Sequence, residues 1–127
     1  MMDWEAYRKQ VAAGVGQIAH TSPEIVRGYR AIFDGAAKIG TLDPKLRELI
    51  ALAVSVTVRC DGCITTHVDA AVKAGATKEE LTEALGVAIA VNAGAALVYS
   101  ARTMDAFAQR TAGAPANAPA APATGQP

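Results

Sequence analysis

Apolar positions along the chain recur at three- and four-residue intervals between helix start and stop signals, a pattern that predicts an all-α fold. Ser22-Pro23 sets an N-cap and a first-turn proline before EIVRGYRAIFDGA, where Ile25, Tyr29, Ile32 and Phe33 share one stripe. Asp43-Pro44 repeats the device ahead of KLRELIALAVSVTV, apolar nearly all round from Leu49 onward, as a central buried helix would be. The VSVTV end also alternates with period two, so a short strand competes there; segment length and the Asp43 cap favour helix. After Asp61-Gly62, the segment CITTHVDAAVKAG spaces Ile64, Val68, Ala71 and Val72 helically, and Gly75 is a stop signal. Thr77 to Glu80 reads as a capping box opening LTEALGVAIAVNAG. A separate last helix, AALVYSARTMDAFAQR, carries Leu97, Ala101, Met104 and Ala108 on one face and Ala96, Ser100, Thr103 and Phe107 on its neighbour. So broad a weakly polar surface in so small a chain predicts that some helix faces are covered by further subunits, in a homo-oligomer.

A length of 127 residues suits one domain with a genuine core. The helical domain is placed at residues 3–110, and the Ala/Pro-rich stretch 111–127, with Pro115, Pro119, Pro122 and Pro127, reads as a disordered tail. Apolar residues make up 51% and aromatics 5%, so the core must be built from Ala, Val, Leu and Ile. Twelve Lys and Arg balance twelve Asp and Glu, leaving no basic field to attract nucleic acid. The longest apolar stretches, around 49–58 and 84–91, fall short of the ~20 residues that cross a bilayer, so no membrane association is expected. The charged start MMDWEAYRKQ has no hydrophobic signal core, which makes the cytoplasm the expected location. Exposed cysteines there stay reduced, and a pair of them reads as catalytic or metal-binding before it reads as a staple.

Cys60, Cys63 and His67 stand at i, i+3 and i+7, within one narrow stripe of a helix. If that helix begins near Asp61, both sulfurs lie at its N-terminus, where unpaired N–H groups and the positive end of the dipole favour thiolate. His67 can exchange a proton with Cys63 one turn away, and Arg59 adds positive charge beside Cys60 if its side chain turns inward. Spacing of this kind also lets one thiolate attack and the other resolve the mixed species as a disulfide. Cys63 is the expected attacking thiol because of His67, with Cys60 at the helix start the competing choice. Two cysteines could instead merely fill core space. Structural zinc wants four ligands, and beyond Cys60, Cys63 and His67 the sequence offers only a possible carboxylate, so no metal is expected. That carboxylate is Glu48, which on its own reads as a solvated charge in a first helical turn.

Glu48, eleven residues, then Cys60-Asp-Gly-Cys63-Ile-Thr-Thr-His67 resembles the E…CxxCxxxH signature of the alkylhydroperoxidase D-like proteins of the carboxymuconolactone decarboxylase superfamily. The resemblance continues through HVDAAVKAGATKEELTEAL and covers about residues 23–109. It implies an all-α fold assembled as trimers or hexamers, with the dithiol at the N-terminal end of a buried helix. It also implies a glutamate–histidine proton relay to the cysteines and re-reduction of the disulfide by a lipoyl or other dithiol donor. Carried over by position, Glu48 becomes the relay base, His67 its partner, and Cys60 with Cys63 the couple that reduces a hydroperoxide or disulfide substrate. One departure stands out: alkylhydroperoxidase D itself has a second histidine between its cysteines, where this chain has Gly62.

Two rivals are kept. A carboxymuconolactone decarboxylase-like enzyme would need a site for an anionic lactone and would not rely on the cysteine pair. A non-catalytic redox-sensing oligomer would show thiol pKa values near the unperturbed ~8.5. His20 matches nothing in the motif and reads as a helix-end residue. Nothing in the sequence suggests a nucleotide, haem or flavin cofactor, and the absence of a Gly-rich phosphate loop points to dithiol exchange as the route for reducing equivalents.

Overall fold

A computed structural model of the chain describes residues 1–113, and these form five helices. They are α1 (Trp4–Thr21), α2 (Pro23–Ile39), α3 (Pro44–Thr57), α4 (Asp61–Lys73) and α5 (Lys78–Thr111). The disordered tail expected over 111–127 lies outside the described residues from 114 onward, while Thr111 itself still belongs to α5.

Local signals account for most of the boundaries. The Asp43 carboxylate accepts from the Leu46 N–H at 2.9 Å with Pro44 in the first turn, so α3 starts where its cap dictates. The VSVTV segment is helical through Thr57, and the strand alternative is set aside. At the start of α5 the capping box closes reciprocally, with Glu80 N–H donating to Thr77 Oγ1 at 3.2 Å and Thr77 N–H donating to Glu80 Oε2 at 2.9 Å.

Two elements differ from the sequence pattern. Helix α1 was foreseen only at its end, through His20, although Asp3 also caps its start by accepting from the Ala6 N–H at 3.0 Å. Its apolar positions Trp4, Tyr7, Val11, Val15 and Ile18 follow helical spacing but are diluted among charges and glycines. The two helices expected on either side of Asn92-Ala-Gly94 are one, since α5 runs unbroken for 34 residues. An interior glycine costs only ~1 kcal/mol relative to Ala, and with no proline present the Ala-rich flanks carry the helix across it. Joined in this way, α5 contains an 18-residue window of mean hydropathy 1.7, long and apolar enough to cross a membrane by length and composition. The short stretches counted from the sequence understated it.

The chain divides into two contact units, Met1–Val91 and the part from Asn92 onward. In the first, α3 and α4 pack most extensively, and α1 contacts both α2 and α4. The core comprises Leu49, Leu52, Ala71 and Ala88 together with the small polar residues Ser55 and Thr65. Helix α3 is therefore buried along one face and not all round: Leu46, Ile50 and Val54 are exposed. Helix α2 buries no residue: Ile25, Tyr29 and Ile32 of its stripe face outward, with Ile32 78% exposed, while Phe33 is half-exposed. In the second unit the continuation of α5 exposes Leu97, Val98, Tyr99, Met104 and Phe107, and the Arg102 guanidinium lies 5.1 Å from the centre of the Tyr99 ring.

Candidate functional site

The turn from α3 into α4 sets the dithiol in place. Arg59 N–H donates to the Val56 carbonyl at 3.3 Å and Cys60 N–H to the Ser55 carbonyl at 3.0 Å, the paired bonds of a Schellman motif. The same pairing ends α4, from Gly75 to Val72 and from Ala76 to Ala71. Gly75 fills the left-handed position there with φ 80°, whereas before the dithiol that position is Arg59, with φ 56°. A side chain in this conformation costs roughly 1 kcal/mol, so the chain holds a mildly strained backbone immediately ahead of Cys60. The Arg59 side chain is exposed, and among the described residues it enters no ion pair.

Cys60 is the N-cap of α4, and its Sγ accepts from the Cys63 N–H at 3.1 Å. The two cysteines are joined as a disulfide, with Cα atoms 5.2 Å apart. Helix α4 thus begins at Asp61, as the placement of both sulfurs at a helix N-terminus required. Val11 of α1 reaches this turn: a Cβ at Gly62 would meet the Val11 Cγ1 at 3.6 Å, an ordinary contact. Gly62 lies within regular helix, so its lack of a side chain answers to no backbone demand.

One turn beyond Cys63, His67 meets Glu48 of α3. His67 Nδ1 and Glu48 Oε2 lie 2.7 Å apart, and the two side chains are 14% and 15% exposed. A carboxylate only accepts, so Nδ1 is the donor in this bond and Nε2 takes no part in it. Glu48 is therefore not the solvated charge its position suggested. Phe33 of α2 stacks on the imidazole, with centroids 6.1 Å apart and planes at 29°. The helical pattern had assigned Phe33 to an apolar stripe and nothing more. Neither its role nor Val11's carries any signal in local spacing, because both contacts join distant helices.

All four residues singled out from the sequence thus fall in the α3–α4 pair, with Glu48 bonded to His67 and Cys60 to Cys63. His20 lies in the last turn of α1, apart from these bonds. Among the described residues no group of three or more His, Cys, Asp or Glu side chains could hold a metal ion.

Residues 23–106 match the carboxymuconolactone decarboxylase family. The chain belongs to that family. It is 44% identical over 110 residues to an uncharacterized protein of Haemophilus influenzae, a match covering 87% of this chain and 97% of the relative. An uncharacterized protein from the cox locus of Paracoccus denitrificans is 32% identical over 95 residues, covering 75% of this chain and 86% of its own length. Among solved structures, a carboxymuconolactone decarboxylase family protein from Legionella pneumophila, determined in its apo form, superposes with a TM-score of 0.67 at 36% identity. That match covers 84% of this chain and 95% of the other. A protein from Methanobacterium thermoautotrophicum gives a TM-score of 0.62 at 32% identity, over 68% of this chain and 97% of that one. The family includes peroxidases of the alkylhydroperoxidase D type.

Proposed function

We propose that this family member is an alkylhydroperoxidase D-like thiol oxidoreductase, reducing hydroperoxides or disulfides through Cys60 and Cys63 with Glu48 and His67 as a proton relay. The observation that carries this reading is the 2.7 Å hydrogen bond from Glu48 of α3 to His67, which lies on α4 one turn from Cys63. A histidine held by a carboxylate at one nitrogen is oriented, with its other nitrogen free to take a proton. That is the arrangement a thiol needs in order to lose its proton near neutral pH.

In the proposed cycle His67 Nε2 takes the Cys63 proton, and the thiolate attacks the distal oxygen of R–O–OH. The O–O bond breaks, Cys63 becomes a sulfenic acid, and the alkoxide leaves as ROH with the proton from His67. Cys60, whose sulfur sits at the helix N-terminus beside the Cys63 N–H, attacks the sulfenic sulfur as thiolate. Hydroxide leaves and is protonated to water, and the disulfide closes. Two electrons pass from the dithiol to the peroxide, and a second dithiol, such as a reduced lipoyl protein, returns them by exchange.

We further propose that the chain works as a homo-oligomer in a reducing compartment, the cytoplasm. Support for assembly comes from the outward stripe of α2 and the exposed apolar residues of α5, more apolar surface than a small monomer commonly leaves uncovered.

The test is a dihydrolipoamide-coupled hydroperoxide assay on wild type and on the Cys60→Ser, Cys63→Ser, His67→Ala and Glu48→Gln variants. Turnover lost in both serine variants and strongly reduced in the other two supports the reading. Equal turnover by wild type and both serine variants would sink it, and turnover of a lactone acid by the serine variants would point to decarboxylase chemistry instead.

A further inference from the structure

Beside the relay lies a cavity of about 420 Å³ between α2, the α2–α3 turn and α3, in the ordinary size range for a small-molecule site. Its walls are mainly apolar, with Phe33, Ile39, Leu42 and Ile50 contributing the large side chains. Two charged residues enter the lining, Arg47 and Glu48. Glu48 is already engaged with His67. Arg47 meets no carboxylate: its half-buried guanidinium donates through Nη1 to the Ala37 carbonyl at 3.1 Å, and among the described residues it enters no ion pair. A guanidinium has five donors in a planar fork suited to a carboxylate, and that single bond leaves most of them for a ligand. Another apolar cavity, about 310 Å³ between α3 and the start of α5, has only acidic side chains as its charged lining, Glu80 and Glu83. Of these two cavities, only the first has a cation in its lining.

We propose that the Arg47 cavity binds a medium-chain carboxylic acid, with the carboxylate on Arg47 and the alkyl chain along Phe33, Ile39, Leu42 and Ile50. Phe33 is shared between this cavity and the stacked face of His67, so a bound chain lies against the ring that positions the relay. Resting on the proposed thiol chemistry, this assigns the substrate class as hydroperoxides of medium-chain carboxylic acids. An apolar wall without a cation would favour neutral alkyl hydroperoxides, and a cation in a polar cavity would favour small dianions. Here a single unpaired guanidinium stands at an apolar wall, which selects for one anionic end and one long apolar one.

Binding can be read without any redox step, by calorimetric titration of the oxidised full chain with butanoate, hexanoate, octanoate and octan-1-ol. Each buried methylene should tighten binding about fourfold, so octanoate should bind about 16-fold more tightly than hexanoate. Arg47→Met should weaken octanoate about tenfold or more and leave octan-1-ol unchanged, while Ala36→Phe, which narrows the same cavity, should weaken both. Circular dichroism melting of each variant separates a lost site from a lost fold, and Ala36→Phe decides the matter if Arg47→Met does not fold. The Cys60→Ser/Cys63→Ser double variant should bind octanoate as wild type does, so binding survives even if the dithiol reading fails. Octanoate binding no tighter than butanoate, or octanoate affinity unmoved in folded Arg47→Met, would overturn the assignment.

Discussion

Glu48 and His67 are 19 residues apart in sequence and 2.7 Å apart in the structure, joined by a hydrogen bond between α3 and α4 in a largely buried setting. The pair fixes the imidazole by its Nδ1 edge, and Phe33 packs against its face. Replacing Glu48 by Gln keeps the shape while removing the charge that stabilises the imidazolium. A general base contributes about 10²–10⁴-fold, so Glu48→Gln should lower peroxide turnover about 10²-fold with the helix content unchanged. Steady-state kinetics beside a far-ultraviolet spectrum would check this.

Arg59 occupies a backbone position that Gly75 occupies in the equivalent turn ending α4. Arg59→Gly should therefore relieve the left-handed conformation and raise stability by roughly 1 kcal/mol. Urea unfolding of wild type and variant measures it, and a destabilised variant would show that the Arg59 side chain contributes more than its exposure suggests.

Gly62 needs no side chain for reasons of backbone geometry, and the contact its Cβ would make with Val11 is an ordinary 3.6 Å. Gly62→Ala should be tolerated and stabilise α4 by about 0.5–1 kcal/mol through helix propensity. The thermal midpoint of the oxidised protein is the measurement. A fall in it would mean that α1 packs against the dithiol turn more tightly than this contact implies.

Lys45 and Glu80 form a 2.5 Å ion pair from α3 to the first turn of α5. The Lys45 ammonium, with help from the Thr77 N–H, holds the Glu80 carboxyl below its ordinary 4.5, and Glu80 in turn holds Lys45 above 10.5. A carboxyl depressed on folding contributes stability that is present above its unfolded pKa and is lost as pH falls through its folded one. A raised lysine contributes stability present below its unfolded pKa and lost as pH rises through its folded one. The thermal midpoint of Glu80→Gln should accordingly fall less than that of wild type between about pH 5 and about pH 3. Both residues are partly exposed, so the difference should shrink in high salt.

The helix starts at Ser22-Pro23, Asp43-Pro44 and Thr77, and the stop at Gly75, were legible because caps and turns are decided within a few residues. Apart from its end at His20, helix α1 escaped because its apolar spacing is thinned by charges and by Gly14 and Gly16, so its register shows only once it packs on α2 and α4. Continuity of α5 escaped for the opposite reason: Gly94 looked like punctuation but costs too little to break so long an Ala-rich helix. At the site, Cys60, Cys63 and His67 could be read from spacing along one helix. Glu48 could not, since its partner lies on another helix, and only the resemblance singled it out. Phe33 and Arg47 were reachable by neither route, because Phe33 meets His67 of α4 and Arg47 meets Ala37 of α2 only once distant helices come together.

The central claim is that peroxide oxidises this dithiol through the relay, and a single-turnover reaction tests it most directly. Fully reduced protein is mixed with a small molar excess of an alkyl hydroperoxide, and free thiols are counted by mass after rapid alkylation. The account predicts loss of both thiols per chain as the Cys60–Cys63 disulfide, with a rate about 10²-fold lower in His67→Ala and in Glu48→Gln. Disulfide formation at the same rate in wild type and both relay variants would contradict it.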